Sequence, residues 1–292
     1  MKYGVAAPER LGITKIAGGR GLGWAEWGPE DGVPVLFFSG AGMSRWLGFG
    51  ADVVAQHGVR LIGVERPGLG TSDPAPGRTL GDWVEDVRGF AEARGLSGFA
   101  VAGSSQGAPF ALVCAAAGLA RAAAVVSGTD ELASPAFAGA LHPDVLRMVN
   151  DAAADPAGFE AFFARIATAE MLWSLIVSMS SDVDRRVYTD PAFEGAYRRA
   201  LDEGFSQGTG GYARDLLLAT SRWPFDPADI TIPVDVWYGG HDTSTVHSPD
   251  HGASLARRIP GSRRNLLPDA GGSMLWTHAG DILASLVRAL GR

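Results

Sequence analysis

Several short runs of the chain are apolar without interruption, and others carry apolar residues at helical spacing. Val35 to Phe38, Val59 to Val64, Phe99 to Ala102, Ala122 to Ser127 and Val234 to Tyr238 are of strand length and lack polar alternation. That pattern predicts strands buried on both faces of a parallel sheet. Gly21 to Gly28 alternates instead, which predicts a half-exposed strand paired with Ile13 to Ala17 across Gly18-Gly19-Arg20. Thr79 can cap a helix whose apolar positions are Leu80, Trp83, Val84, Val87, Phe90 and Ala91, with Asp82 and Glu85 in its first turn. Further helices are expected over 52–57, from Pro109 to Ala117, from about Asp250 to Ile259 and from about His278 to Leu290, and a further strand from Arg264 to Leu267.

Between residues 130 and 225 the strand-like runs stop. Helical patterns rich in Phe and Met take over, broken at Pro135, Pro143, Pro156, Pro191 and Gly208 to Gly211. A βα rhythm interrupted by one helical stretch implies an α/β protein with a mostly parallel sheet covered on both faces. The expected division is a core of residues 1–130 and 225–292 with a helical cap of residues 131–224.

Composition narrows the partners. The chain has 292 residues, 46% of them hydrophobic, enough for a large core in one α/β unit. Its net charge is −7 and no stretch gathers Lys or Arg, which argues against a nucleic-acid partner. The only lysines are Lys2 and Lys15 amid many Arg, Ala and Gly, a usage expected of a GC-rich bacterial genome. A single cysteine, Cys114, sits in an apolar helix and reads as a core residue. The first residues lack an apolar signal region and no run reaches the ~18 apolar residues of a membrane span, so a soluble, cytoplasmic protein is expected. No pair of His or Cys has metal spacing and no phosphate-binding loop occurs, so neither a metal nor a cofactor is expected.

The strongest chemical signal is Gly103-Ser104-Ser105-Gln106-Gly107, set between a strand-like run and a helical one. It is the G-x-S-x-G pattern of a nucleophile elbow, with Ser105 at the tip of the turn. Arg66-Pro-Gly-Leu-Gly-Thr-Ser-Asp73 and Tyr238-Gly-Gly-His-Asp242 complete a recognisable set. Over residues 20–130 and 225–290 the chain resembles the α/β-hydrolase superfamily, nearest to capped members of the esterase and proline-iminopeptidase type. The resemblance implies Ser105 as nucleophile, Asp242 as acid and backbone N–H groups of Ala41 and Gln106 as the oxyanion hole. A second place for an acid follows Ala122 to Ser127, where Asp130 stands, ranked below Asp242.

The base departs from the family pattern. Gly271-Gly272 stands where the superfamily carries Gly-His, and no histidine lies between His251 and His278. The six histidines read as surface or capping residues: His57, His142, His241, His247 and His251, with His278 the nearest stand-in for the base. Three explanations follow: chemistry that needs no such base, a histidine removed to trap a complex, or a scaffold that only binds. The default expectation is hydrolysis of an ester, amide or lactone through acyl-Ser105. The alternatives are a non-hydrolytic cyclase, lyase or isomerase, and a non-catalytic ligand-binding protein. Phe159, Phe162, Phe163, Met171, Trp173 and Met179 from the cap, with Met43, Trp46, Met274 and Trp276 from loops, would line a pocket for a small, uncharged, hydrophobic substrate. An apolar cap surface would also permit a homodimer.

Overall fold

The computed structural model describes residues 2–291. Its strands are β1 (Arg10–Lys15), β2 (Gly21–Trp27), β3 (Val33–Phe38) and β4 (Val59–Val64). After these come α1 (Leu80–Ala93), β5 (Ala100–Ser104), α2 (Ala108–Ala116) and β6 (Ala122–Val126). Six helices follow without a strand: α3 (Pro143–Ala154), α4 (Pro156–Ile166), α5 (Ala169–Met179), α6 (Asp182–Tyr188), α7 (Pro191–Gly204) and α8 (Gly210–Thr220). The chain ends through β7 (Val234–Gly239), α9 (Ala253–Arg258), β8 (Arg263–Leu267), α10 (Met274–Thr277) and α11 (Ala279–Ala289).

The eight strands form one sheet in the order β1-β2-β4-β3-β5-β6-β7-β8. Strand β2 runs antiparallel to both β1 and β4, and every other pairing is parallel. Alternation along β3 sorts its side chains: Val35 and Phe37 join one core cluster and Leu36 and Phe38 the other, so the sheet is buried on both faces. The chain leaves β3 towards β4 and returns to its other side at β5. In an open parallel sheet such a reversal opens a crevice at the strand C-termini.

Local signals explain much of this. Helix α1 is closed at its start by a capping box: Thr79 accepts from Asp82 N–H, and the Asp82 carboxylate accepts from Thr79 N–H. Strand β2 corrects one expectation. It is buried along most of its length because it lies inside the sheet, and its polar Glu26 meets Arg10, Arg60 and Arg94 there instead of water. Residues 52–57 form successive hydrogen-bonded turns, not the expected helix, between left-handed Gly50 and Gly58. The last helical stretch breaks at His278, whose φ of −129° separates α10 from α11. Among the described residues no single helix is long and apolar enough to cross a membrane.

Candidate active site

Ser105 follows β5 directly and precedes α2, with a left-handed φ of 50°. A non-glycine residue held there is strained and persists only where its surroundings impose it. The flanking glycines show how tight the turn is. A Cβ on Gly107 would fall 2.0 Å from the Phe38 carbonyl oxygen, and one on Gly103 would fall 2.5 Å from the Gly107 carbonyl. Only glycine lets β3, β5 and α2 approach so closely.

The loop after β3 lies beside this turn. The wholly buried Arg66 donates to the carbonyls of Ser39, at 2.7 Å, and Gly40, at 2.9 Å, and its Nε donates to Asp215 of α8 at 2.6 Å. Arg78 pairs with the other oxygen of the same carboxylate. These bonds turn the Ser39 and Gly40 carbonyls towards Arg66. No backbone carbonyl among the described residues accepts from Ala41 N–H. Ala41 and Gln106 both border the cavity in front of Ser105.

A histidine does stand in front of Ser105, and it is His247. Its Nε2 is 3.0 Å from Ser105 Oγ, and its Nδ1 is 2.8 Å from Asp242 Oδ2 and 3.0 Å from Oδ1. A carboxylate only accepts, so Nδ1 carries the proton and the Nε2 lone pair faces the hydroxyl. Asp242 is buried, and burial by itself would push its carboxyl up. The positive charge that His247 carries when protonated, the hydrogen bond from its ring and the Ser244 N–H at 3.1 Å outweigh that and hold the carboxyl below its ordinary value.

The loop carrying both residues is tied at several points. Thr243 Oγ1 donates to the Met179 carbonyl of α5 at 2.7 Å. Ser248, next to His247, donates its N–H to the Gly128 carbonyl and its hydroxyl to Asp130 Oδ2, at 3.0 and 3.1 Å. Asp130 is fully buried behind the loop. Burial pushes its carboxyl up to about 6, against hydrogen bonds from Glu131 N–H and Ser248 and the charge of Arg258.

The expectation of a missing base is therefore corrected. The side chain that meets Ser105 comes from the loop after β7, not from the loop after the last strand that holds Gly272. His278 is not a stand-in: it lies at the α10–α11 junction with Nδ1 2.9 Å from Thr277 Oγ1. Gly272 still abuts the acid, but through its backbone. Its N–H and that of Ser273 both donate, at 2.8 Å, to the carboxylate of Asp184 from α6. The available signal for His247 was its place five residues after Asp242, in a Thr-Ser-Thr-Val stretch without helix formers. A turn of that length brings an imidazole back onto its own loop's carboxylate.

In front of these groups lies a cavity of about 770 Å³. Met43, Phe163, Met171, Met179 and Trp276 line it as expected. Trp173 and Met274 do not: Trp173 packs on Tyr197 at 5.7 Å between ring centres, and Met274 is wholly buried in the core. Phe159 packs on Phe163, Phe162 is exposed, and Trp46 lies under the Arg199 guanidinium. Among the described residues no group of three or more His, Cys, Asp or Glu could hold a metal ion.

No protein-family model matches the chain. A non-heme chloroperoxidase from Streptomyces lividans is 33% identical over 104 residues, which cover 33% of this chain and 36% of that protein. The match thus spans about a third of the relative's length. Solved structures agree over nearly the whole chain. An enol-lactonase from Burkholderia xenovorans superposes with a TM-score of 0.70 at 18% identity, over 96% of this chain and all of that one. A bromoperoxidase from Bacillus anthracis gives 0.71 at 18% identity over 97% of this chain and all of its own. An esterase from a Rhodococcus species gives 0.69 at 18% identity, over 96% and 99%.

Proposed function

We propose that this chain, which has the α/β-hydrolase fold, is a serine hydrolase that cleaves an uncharged carboxylic ester or lactone through an acyl-Ser105 intermediate. The observation that carries the reading is His247 set between Ser105 and Asp242 at hydrogen-bond distance from both. A serine hydroxyl is a weak nucleophile until a neighbouring base takes its proton, and this geometry supplies the base.

Ser105 Oγ attacks the substrate carbonyl carbon as its proton passes to His247 Nε2. Asp242 stays ionised, fixes the imidazole tautomer and stabilises the imidazolium that forms. Negative charge gathers on the former carbonyl oxygen and is received by the N–H groups of Ala41 and Gln106. Each such donor contributes about 2.7–4 kcal/mol to the transition state. Collapse of the intermediate breaks the bond to the leaving oxygen, which takes the proton from His247. The same imidazole then deprotonates a water, which attacks the acyl carbon; the bond to Ser105 Oγ breaks, Oγ takes the proton back from His247, and the acid leaves. Helices α3 to α8 serve as the cap over the strand ends.

The non-hydrolytic and binding-only readings drew their support from a missing base, and His247 removes that support. The test is covalent labelling. A fluorophosphonate is expected to add to Ser105 in the parent and not in Ser105→Ala, and short p-nitrophenyl esters are expected to turn over. A parent protein that is neither labelled nor active on any such ester overturns the reading.

A further inference from the structure

Several polar side chains on the cavity wall take no part in the reaction above; two of them, both tyrosines, share one aromatic cluster, apart from a third, Tyr212, which packs on Phe205. Tyr188, the last residue of α6, and Tyr197 of α7 both line the cavity. They are 8% and 6% exposed, yet neither hydroxyl has a hydrogen-bond partner among the described residues. Neither oxygen is sealed inside packed protein, and both residues border the cavity. A buried tyrosine hydroxyl normally finds a partner, and leaving one unpaired is costly.

The rings are held firmly. Tyr188 meets Tyr197 edge-on at 5.5 Å and Trp276 at 6.3 Å, while Tyr197 also touches Trp276 at 5.9 Å and Phe193 at 5.7 Å. The direction of each hydroxyl is therefore set before any ligand arrives. Burial, reinforced at Tyr188 by the nearby Asp184 and Asp242, raises both phenols above their ordinary value. They stay neutral donors.

Charge adds a second constraint. Among the described residues no Lys or Arg lines the cavity, whereas Asp144, Asp184 and Asp242 do. An anionic ligand would find no counter-charge there. The volume falls within the range that encloses a drug-sized molecule, and the rest of the wall mixes apolar side chains such as Met43, Leu172 and Trp276 with uncharged Ser and Thr.

We propose that Tyr188 and Tyr197 form a specificity site that receives an acceptor oxygen of the substrate remote from the carbonyl that reacts. The substrate class is then an uncharged, oxygenated, otherwise apolar ester or lactone. A plain hydrocarbon acyl chain leaves both hydroxyls unpaired, and an ether, ketone or hydroxyl oxygen at the right distance pairs them. This inference rests on the hydrolase reading of the same cavity.

The experiment uses p-nitrophenyl decanoate and analogues in which one ether oxygen replaces a methylene at successive positions along the chain. At least one oxygen position is expected to give a KM no higher than decanoate, despite the lost hydrophobicity. Tyr188→Phe and Tyr197→Phe keep the ring packing and remove only the hydroxyls. Together they are expected to raise KM for that analogue by about 3–10-fold relative to decanoate, the worth of one hydrogen bond, with kcat unchanged. An analogue-to-decanoate ratio that the two variants leave unchanged at every position overturns the inference. The same comparison with the corresponding alcohols, bound to Ser105→Ala and followed by tryptophan fluorescence, needs no turnover. A tyrosine-dependent preference in binding without any ester hydrolysis would overturn the hydrolase reading and leave the tyrosine site standing.

Discussion

Gly272 and Asp242 leave no room for a side chain between them: a Cβ built on Gly272 falls 2.9 Å from Asp242 Oδ1 and 3.1 Å from its Cγ. Gly272→His would place a histidine where the superfamily pattern has one, yet its Cβ must displace the acid that orients His247. We expect ester hydrolysis to fall by roughly 10–100-fold, the scale of an ångström-sized misplacement. A rise in kcat/KM would show that His247 is not the working base.

His247→Ala removes the group between nucleophile and acid. Loss of about 10⁴-fold or more in kcat is expected, with residual activity from oxyanion stabilisation and binding. His278→Ala, on the same assay, is expected to match the parent, because its imidazole touches Thr277 and not the cavity. The opposite ranking of the two variants would reassign the base.

Asp215 is shared by two buried cations, Arg66 and Arg78. Removing one partner of a buried ion pair strands the rest, at a cost of about 3–5 kcal/mol. Asp215→Ala is expected to lower unfolding stability by that amount in urea. Because Arg66 also holds the Ser39 and Gly40 carbonyls, kcat should drop under conditions where the variant is still folded. Stability within 1 kcal/mol of the parent, on the order of a surface change, would contradict this role.

Asp130 makes stability depend on pH. Its folded carboxyl is raised to about 6 from 3.8, so between those values the folded protein binds more protons than the unfolded chain. Stability from this group is full below the unfolded value and is lost as pH rises through the folded one, by about 3 kcal/mol. Asp130→Asn cannot ionise and escapes that loss. Urea unfolding at several pH values is expected to show the variant gaining on the parent as pH rises from about 4 to 7. A parent–variant difference that is flat with pH would contradict the assignment.

What could be read in the sequence was local. The capping box of Thr79 and Asp82 lies within four residues, and the elbow is one strand, five residues and one helix. Each announces itself without the rest of the fold. Glu26 was illegible because its three arginines come from β1, β4 and the end of α1, and a polar residue in an alternating strand otherwise reads as exposed. His247 was illegible for a related reason. Its ring reaches Ser105 because Ser248 is fastened to Gly128 and Asp130 beyond β6, and Thr243 to Met179 of α5. Those fastenings join segments far apart in the chain, and the resemblance directed attention to Gly272 instead.

Asp242 and His247 share a single loop, and this changes what the end of the chain must do. Where an acid and a base come from two strand ends, any shear between those strands spoils their alignment. Here the hydrogen bond between Asp242 and His247 is internal to residues 242–247, while the reach of the ring to Ser105 depends on the ties of Thr243 and Ser248. On the proposed reading the stretch from β8 onward supplies neither acid nor base: it fills the core, borders the cavity through Gly272, Leu275 and Trp276, and presents the N–H groups of Gly272 and Ser273 to Asp184. Substitution in that stretch is bounded by those contacts and by the clearance Asp242 needs beside Gly272.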